Sequence, residues 1–252
     1  MPNPSHILGV IPARLASTRL PRKVLREIAG EPMLAWVYRA ARACTQLDQV
    51  LIATDSEEIM NFAHSHNLPA VFTPPDCASG SDRVHAVAQS ISADIYINIQ
   101  GDEPLLRSEH LDALLEPMSR LEVQVATLAT PCPLEQVNNP NAVKVVIAAD
   151  GRALYFSRAT IPYDRDGAGN IPHQKHLGIY AYRKSALDRF PKLPPSRLEA
   201  IERLEQLRFL ENGIDIYVTS TPFDTIGVDT EEDLQAAEQI LQNRKFDKEP
   251  KS

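Results

Sequence analysis

Short apolar runs alternate with helical patterns along the first half of the chain, and this alternation constrains the fold more than any other feature. The apolar runs that predict strands are His6–Pro12, Gln49–Ala53, Ala70–Thr73 and Ile95–Ile99, and the helical patterns are Pro32–Cys44, a segment that begins after Ser56, Ser81–Ile91 and Ser108–Arg120. This order predicts an α/β fold with a mostly parallel central sheet that is flanked by helices. Ligands of such sheets bind beyond the carboxyl ends of the strands, so we expect the functional residues there.

The second half of the chain has a less regular pattern. It predicts strands at Val123–Thr130, Val143–Ala148, His176–Tyr182 and Ile214–Thr219, a long helix at Arg197–Asn212 and a last helix at Thr230–Leu241. We therefore expect one domain over residues 1–242, in two halves (1–122 and 123–242), followed by a polar tail at 243–252.

The composition is typical of a soluble globular protein. Of the 252 residues 43% are hydrophobic and 23% are charged, and no apolar stretch approaches the roughly 18 residues that a membrane-spanning helix needs. The net charge of −7 argues against a nucleic-acid-binding protein. Three widely spaced cysteines (Cys44, Cys77 and Cys132) and a start that does not resemble a signal peptide favour a reducing compartment, so we expect a cytoplasmic protein without membrane insertion.

The positive charge is concentrated near the N-terminus. Residues 1–43 contain seven Lys and Arg residues and two acidic residues, a net charge of +5, which leaves −12 for the rest of the chain. The loop after the first predicted strand holds Arg14, Arg19, Arg22 and Lys23, and side chains of this kind pair with phosphate oxygens. An ordinary basic surface is the alternative. The chain has neither a GxxxxGK[ST] loop nor a GxGxxG turn after a strand, which weighs against a P-loop or a dinucleotide cofactor.

Two carboxylates are candidates for a metal site. Asp102 lies in the segment Gln100–Pro104, directly after a predicted strand, and Asp229 precedes the last predicted helix. A Mg²⁺ ion takes one or two carboxylates and fills its other positions with phosphates and water. The alternatives are an acidic turn for Asp102 and a helix cap for Asp229, since Asp before a helix is usually a cap.

The segment Ser79–Arg83 is a small-residue loop that opens a helix, where a flat ligand can approach the backbone closely; a helix N-cap is the alternative. The histidines are not spaced as zinc ligands, so we expect no zinc site. His176 remains a candidate for binding a substrate oxygen, although an isolated His is more commonly structural.

Taken together, the motifs resemble the 3-deoxy-manno-octulosonate cytidylyltransferase (CMP-KDO synthetase) family, from about residue 7 to residue 240. The matching segments read, in order, IPARLASTRLPRK, ATD, SGSDR, NIQGDEP, NPNAVKVV, ALYFSRATIP, KHLGIYAYR, LEQLRFLENG and GVDTEEDL. The resemblance implies a nucleotide-diphospho-sugar transferase fold. It also implies the reaction of CTP with 3-deoxy-manno-octulosonate (KDO) to CMP-KDO and diphosphate for lipopolysaccharide synthesis, with Mg²⁺ as cofactor and a homodimer as assembly.

The same resemblance assigns roles to individual residues. It implies that residues 1–122 mainly bind the nucleotide and that 123–242 bind the sugar and form the dimer. The implied catalytic residues are Arg14, Lys23 and Asp102, and the implied metal ligands are Asp102 and Asp229. The implied nucleotide-binding residues are Arg14, Arg19, Lys23, Ser79, Gly80, Arg83 and Gln100, and the implied sugar-binding residues are Arg158, His176, Tyr180, Glu205 and Gln206.

One position departs from the family pattern. The family commonly has Gly between Pro21 and Lys23, where this chain has Arg22. Gly adopts backbone angles that Arg adopts reluctantly, so Arg22 is expected to shift the loop or to add a phosphate contact. Two alternatives to KDO activation stay open at this point: the same chemistry on a related acid sugar such as an amino-KDO, and a nucleotide-binding protein without turnover.

Overall fold

The computed structural model describes residues 5–17, 19–167, 169 and 171–246. Its strands are β1 (Ile7–Ala13), β2 (Glu27–Ile28), β3 (Glu31–Pro32), β4 (Gln49–Thr54), β5 (Ala70–Phe72), β6 (Ile95–Asn98), β7 (Val125–Pro131), β8 (Lys144–Ile147), β9 (Ala153–Ser157), β10 (Gln174–Arg183) and β11 (Ile216–Ser220). Its helices are α1 (Met33–Arg42), α2 (Glu57–Ser65), α3 (Gly80–Ala88), α4 (Ser108–Leu115), α5 (Lys184–Arg189), α6 (Arg197–Glu202), α7 (Leu207–Glu211) and α8 (Glu231–Phe246). Short 3₁₀ turns lie at Lys23–Leu25, Pro117–Ser119, Leu134–Gln136 and Phe190–Lys192.

The chain forms two compact units. Unit one comprises the described residues up to Leu111 together with those from Thr225 onward, and unit two is Asp112–Asp224. The units do not follow the expected division into an N-terminal and a C-terminal half, because α8 and the residues before it belong to unit one. The assignment of a single domain, and of nucleotide and sugar binding to the two halves, stays a prediction.

A parallel sheet with β1 at its centre forms the core of unit one. β1 pairs in parallel with β4 on one side and with β6 on the other, and β5 continues the sheet beyond β4. Five of the six residues of β4, all except Gln49, and all four residues of β6 are buried, as expected for strands covered on both faces by helices. The α/β fold expected from the alternating pattern is confirmed.

The end of the chain packs into the core of unit one. Val228 and the α8 residue Leu234 are buried in one cluster with Leu20, Met33 and Leu105. Full burial of an aliphatic side chain contributes about 1.5–3 kcal/mol to stability. This cluster therefore fixes the segment before α8 against the basic loop that contains Leu20.

Unit two contains a mixed sheet. β7 pairs antiparallel with β10 and parallel with β11, β10 also pairs antiparallel with β8, and β8 pairs antiparallel with β9. The register of β10 against β7 shifts between Leu177 and Tyr180. Such a β-bulge bends a strand and redirects its side chains.

The expected long helix at Arg197–Asn212 is wrong. The structure has two short helices there, α6 and α7, with a break that begins at Arg203, whose φ of 55° is left-handed. The apolar period that predicted one helix counted Ile201, which is 66% exposed. Hydrogen bonds from Arg158 take up the main-chain carbonyls of Glu202 and Arg203, so these carbonyls do not continue the helix.

Smaller differences concern helix ends and the strands β2, β3 and β9, which the sequence pattern does not predict. The helix expected at Ser108–Arg120 ends at Leu115, and Pro117 begins a 3₁₀ turn, because Pro lacks the N–H that an α-helix needs. α8 continues to Phe246, into the segment expected to be a polar tail. Strand β9 was not predicted, although its sequence ALYFS contains aromatic residues that favour strands.

Candidate active site

One ammonium group joins two carboxylates at the carboxyl edge of the sheet in unit one. The Nζ atom of Lys23 lies 2.5 Å from Oδ2 of Asp102 and 2.8 Å from Oδ1 of Asp229. A guanidinium nitrogen of Arg19 lies 2.7 Å from the other oxygen of Asp229. We call these four residues the charged cluster. It unites four of the residues that the sequence assigns to phosphate and metal binding, although Asp229 is more than 200 positions from Arg19 and Lys23.

Two main-chain features bring the carboxylates of the charged cluster together. Gly101 allows Asp102 to lie against the end of β1, since a Cβ atom on Gly101 would be 2.9 Å from the carbonyl oxygen of Pro12. The N–H of Val228 donates to the carbonyl of Asp102 at 2.9 Å, which places Asp229 beside Asp102. The sequence QGDEP therefore needs its glycine for a close approach of the backbone.

The cap of α8 leaves the carboxylate of Asp229 available. Thr230 and Asp233 form the hydrogen bonds of the cap: Asp233 accepts from the N–H groups of Asp229 and Thr230, and the Thr230 hydroxyl accepts from the N–H of Asp233. The side chain of Asp229 instead accepts from Lys23 and Arg19. Asp229 is therefore not the side chain that caps α8, because Thr230 and Asp233 fill that role.

The charged cluster shifts the pKa values of Lys23 and Asp229. Burial alone would lower the pKa of Lys23, but the charges and hydrogen bonds of Asp102 and Asp229 outweigh it and raise this pKa above its ordinary value. For Asp229 burial acts to raise the pKa, and Lys23 and Arg19 outweigh that effect and lower it. Both groups are therefore charged at neutral pH.

The remaining cations of the basic loop differ in their surroundings. Arg14 follows β1 directly and is exposed, with no ion pair to any residue that the structure describes. Arg22 has a left-handed backbone, with φ 58° and ψ 29°, so the glycine-like conformation is kept in spite of the side chain. Its guanidinium pairs with Glu58 on α2, an ion pair in which both side chains are largely exposed. Thr18, within the same loop, is outside the described residues.

The segment Ser79–Arg83, which is predicted to bind the nucleotide, begins with a helix cap. Ser79 and Asp82 form a capping box at the start of α3, in which each side chain bonds to the other's main-chain N–H. Arg83 is almost fully buried, and its guanidinium bonds to Thr73 at 2.5 Å and to Asp55 at 3.0 Å. The side chains of Ser79 and Arg83 thus have structural partners, so the main chain around Gly80 is the candidate for a ligand contact in this segment. Gln100 follows β6 and is half-buried.

Sequence reasoning missed Asn98, the last residue of β6. Asn98 is only 3% exposed, and its Oδ1 has no hydrogen-bond partner among the described residues. The position of a Cβ on Gly80 would be 3.4 Å from Nδ2 of Asn98, so this amide lies beside the start of α3. A buried amide without a partner is costly, which marks it as a candidate ligand contact. The signal was present in the sequence as a polar residue inside the run Ile95–Ile99.

In unit two, a histidine and a tyrosine lie on either side of the β-bulge. The Nε2 of His176 is 3.0 Å from the hydroxyl oxygen of Thr127 on β7, and this oxygen is also 2.8 Å from the carbonyl of Ile179. A threonine hydroxyl has one hydrogen, so if it donates to Ile179 it must accept from Nε2–H of His176. This assignment leaves Nδ1 of His176 as a hydrogen-bond acceptor. Sequence reasoning did not identify Thr127.

Burial keeps His176 neutral and Tyr180 protonated. The ring of His176 packs edge-on against Phe156 at 5.0 Å, and burial lowers its pKa to about 3. Burial likewise raises the pKa of Tyr180 well above its usual value of 10.0. The hydroxyl of Tyr180 is buried without a hydrogen bond of normal geometry to a described residue. These groups suit a neutral polar ligand group better than a proton-transfer role.

The other sugar-site candidates lie at the ends of β9 and α6. Arg158 follows β9, and its Nε donates to the carbonyl of Glu202 at 2.7 Å. Glu205 and Gln206 lie in the break between α6 and α7. Gln206 is buried, and its Nε2 has no hydrogen-bond partner among the described residues. The described residues of unit two therefore include two buried donors, on Tyr180 and Gln206, that are candidates for hydrogen bonds to a ligand.

Among the described residues there is no group of three or more His, Cys, Asp and Glu side chains that could hold a metal ion, and no helix is long and apolar enough to cross a membrane. Asp102 and Asp229 are nevertheless a donor set that fits Mg²⁺, since this ion is commonly held by one or two carboxylates together with substrate phosphates.

Comparison with known proteins identifies the family. A family model described as Cytidylyltransferase matches residues 8–216. The 3-deoxy-manno-octulosonate cytidylyltransferase of Acidobacterium capsulatum is 72% identical over 95% of this chain and 98% of its own length. The enzyme of the same name from Koribacter versatilis is 62% identical over 94% of this chain and 90% of its own length.

Solved structures agree with these relatives. A CMP:2-keto-3-deoxy-manno-octonic acid synthetase complexed with CTP matches with a TM-score of 0.91 at 39% identity, over 95% of this chain and 100% of that chain. A cytidylyltransferase from Leptospira borgpetersenii, 15% identical, shares the fold with a TM-score of 0.63 over 95% of this chain and 87% of that chain. The predicted nucleotidyltransferase fold is thus confirmed, and the chain belongs to the cytidylyltransferases and, among them, to the 3-deoxy-manno-octulosonate cytidylyltransferase family.

Proposed function

We propose that this protein activates KDO for lipopolysaccharide synthesis by transferring the CMP group of CTP to the sugar, with release of diphosphate. In this reaction the 2-hydroxyl of KDO attacks the α-phosphorus of CTP. The observation that carries the proposal is the charged cluster, in which Lys23 joins Asp102 and Asp229 in a chain 72% identical to a named KDO cytidylyltransferase. The same names favour KDO over a related acid sugar as the acceptor.

The cations of the basic loop are proposed to bind the triphosphate. Lys23 and Arg19 exchange their carboxylate partners for phosphate oxygens, and Arg14, which is exposed after β1, adds a third cation. Their charges offset the negative charge that develops on the leaving diphosphate. The main chain at Gly80 and the amide of Asn98 are proposed to contact the nucleoside, near Ser79, Arg83 and Gln100.

Asp102 and Asp229 are proposed to hold Mg²⁺ once Lys23 has turned to the phosphates. When it is bound, Mg²⁺ withdraws charge from phosphate oxygens and lowers the pKa of an attacking hydroxyl. The two carboxylates lie close enough to share one ammonium group, which supports their use as joint ligands. Gly101 and Val228 hold the main chain on which both carboxylates depend.

The residues of unit two are proposed to bind the sugar. Arg158 offers a positive charge to the KDO carboxylate. Neutral His176 offers Nδ1 as an acceptor for a sugar hydroxyl, and Tyr180 and Gln206 offer buried donors that lack a hydrogen bond of normal geometry to the described residues. Glu205, which is half-buried beside Gln206, adds an acceptor for hydroxyl groups.

We further propose a homodimer in the cytoplasm. Three large apolar side chains are exposed between residues 130 and 163, namely Leu134 (77%), Leu154 (62%) and Tyr163 (82%), which supports an interface in this stretch. All three cysteines are free, which supports a reducing compartment. Light scattering on the purified protein tests the dimer, and a monomer at micromolar concentration would refute it.

Diphosphate release tests the proposed reaction directly. We expect release only when CTP, KDO and Mg²⁺ are all present, and CMP-KDO should form in equal amount. Omission of each component and replacement of CTP by UTP are the controls, and an amino-substituted KDO serves as the competing acceptor. The absence of release in the complete mixture would exclude the proposal, and CTP binding without turnover would favour a nucleotide-binding protein instead.

A further inference from the structure

The ends of β9 and α6 hold each other through a reciprocal set of hydrogen bonds. The carboxylate of Glu202 accepts from the hydroxyl of Ser157 at 2.6 Å and from the main-chain N–H of Arg158 at 2.9 Å. In return, the guanidinium of Arg158 donates to the carbonyl of Glu202 at 2.7 Å and to that of Arg203 at 3.3 Å. We call Ser157, Arg158, Glu202 and Arg203 the reciprocal clamp.

The reciprocal clamp determines where α6 stops. The carbonyls of Glu202 and Arg203 accept from Arg158, and Arg203 adopts a left-handed φ of 55°, which turns the chain out of the helix. Glu205 and Gln206 follow two and three residues later. The position of these two candidate sugar-binding residues therefore depends on the contacts that Glu202 and Arg158 make with each other.

The clamp also directs the charge of Arg158. A guanidinium has five N–H groups, and Arg158 uses one each on the carbonyls of Glu202, Arg203 and Pro140. All three acceptors are neutral, and no carboxylate of the described residues forms an ion pair with this side chain. The positive charge thus remains available for an anionic ligand, with two N–H groups in fixed directions.

A second residue, Lys144, strengthens this arrangement from β8. Its fully buried Nζ donates to the carbonyls of Asn139 at 2.8 Å, Ala142 at 2.6 Å and Arg158 at 2.9 Å. Arg158 reaches the same loop through the carbonyl of Pro140. The main chain of Arg158 is therefore fixed by Lys144 and Glu202, so that a change in either partner is transmitted to the guanidinium.

We propose that Glu202 is a positioning residue of the sugar site, which sets the direction of the free N–H groups of Arg158 and the placement of Glu205 and Gln206. This inference rests on the proposed function, because it assigns KDO binding to unit two. Glu202 itself has both carboxylate oxygens engaged by Ser157 and Arg158, so it acts through these residues and not on the substrate.

Steady-state kinetics of Glu202→Ala tests the proposal. We expect the KM for KDO to rise at least about tenfold, with the KM for CTP within about twofold of wild type, since only the sugar-binding residues are displaced. Glu202→Gln should restore the KM for KDO to within about threefold, because its amide can accept from the Arg158 N–H and donate to the Ser157 hydroxyl. An unchanged KM for KDO in Glu202→Ala overturns the proposal.

Glu211 provides a matched control. Its carboxylate also joins a serine hydroxyl and a main-chain N–H, those of Ser196 and Leu198, but at the other end of α6. Glu211→Ala should lower the melting temperature about as much as Glu202→Ala and leave the KM for KDO within about twofold. An equal rise of this KM in both variants would mean that general loosening of unit two is the cause, and would refute a specific role for Glu202.

Two further measurements separate the possible failures. If wild-type protein with CTP, KDO and Mg²⁺ releases no diphosphate, the proposed function fails; if it is active and Glu202→Ala has normal KM values, only the positioning role fails. Should Glu202→Ala not fold, Ser157→Ala is tested instead, because it removes the hydrogen bond from the Ser157 hydroxyl to Glu202. It should raise the KM for KDO by about threefold and spare the KM for CTP, and normal values for both would overturn the proposal.

Discussion

The Nζ atom of Lys23 lies 2.5 Å from Oδ2 of Asp102, so a proposed phosphate-binding cation is paired with a proposed metal-binding acid. The same Nζ also bonds to Asp229. In this arrangement the charged cluster neutralises itself. In the proposed function, a triphosphate and a metal ion replace these internal ion pairs: the phosphates pair with the cations, and the metal ion binds the carboxylates. We therefore expect the two ligands to bind cooperatively.

Replacing Lys23 by Met should affect the two ligands in opposite ways. CTP should bind about 10- to 100-fold more weakly, because a charged hydrogen bond worth about 1.5–3 kcal/mol is lost. Mg²⁺ alone should bind more tightly than to wild type, because its carboxylates no longer hold an ammonium group. Calorimetry with each ligand measures both effects, and exposed Lys192→Met is the control for charge. Unchanged CTP affinity would remove Lys23 from the phosphate site.

Asp102→Asn should abolish turnover and leave the fold intact. The amide keeps the size of the side chain but loses the charge that Mg²⁺ requires, so we expect kcat to fall at least about 100-fold. Asp188→Asn, which removes the partner of Lys184 on α5, is the control and should retain normal activity. Circular dichroism verifies folding. A wild-type rate in Asp102→Asn would exclude Asp102 as a metal ligand.

Arg22→Gly should leave catalysis nearly unchanged. Relief of the left-handed backbone gains about 1 kcal/mol, while the flexibility of Gly and loss of the exposed Glu58 pair cost a similar amount, so stability should change by less than about 1 kcal/mol. We expect kcat within about threefold of wild type, since the guanidinium is directed to α2. Glu58→Gln is the control, because it removes the ion pair with Arg22 and keeps the Arg22 side chain. A tenfold loss of kcat in Arg22→Gly that is not seen in Glu58→Gln would show that Arg22 contacts a phosphate.

His176 should make the protein less stable in mild acid. Its folded pKa of about 3 is below the ordinary 6.5, so between these values the unfolded chain binds a proton that the folded chain does not. The free energy of unfolding should therefore fall as the pH drops below 6.5, by up to about 2 kcal/mol at pH 5, and be unaffected above pH 7.5. Urea titrations of wild type and His176→Gln measure the difference, with exposed His64→Gln as control. Parallel pH profiles for wild type and His176→Gln would contradict the expectation.

Asn98→Leu should weaken CTP binding without loss of stability. The side chains have similar shapes, and Leu removes a buried amide whose Oδ1 is unpaired, which costs about 1–3 kcal/mol in the folded protein. We expect the free energy of unfolding to stay equal or to rise, while CTP affinity falls by about tenfold. Chemical denaturation measures the free energy of unfolding, and calorimetry on the same preparation measures the affinity for CTP. A large loss of stability would show that Asn98 has a structural role.

The sequence was most informative where a pattern is local. The parallel strands followed from short buried runs, and the basic loop and Asp102 followed from their place after such runs. Contacts between distant segments could not be predicted in this way. Nothing in the pattern around Arg197–Asn212 indicates the break at Arg203, because the carbonyls at the break accept hydrogen bonds from Arg158, a residue distant in sequence that follows β9. Likewise, Thr127 contacts His176 beside the β-bulge of β10, and a register shift leaves no signal in composition.

The placement of Val228 and Asp229 in unit one has a consequence for the synthesis of the protein. A nascent chain acquires Arg14, Arg19, Lys23 and Asp102 early, but the apolar cluster around Leu20 and the second carboxylate are completed only by the segment before α8. Until that segment leaves the ribosome, Lys23 has one of its two acidic partners. The proposed nucleotide site thus cannot be completed before Asp229 has been made, and a chain that terminates before this residue should not be able to consume CTP.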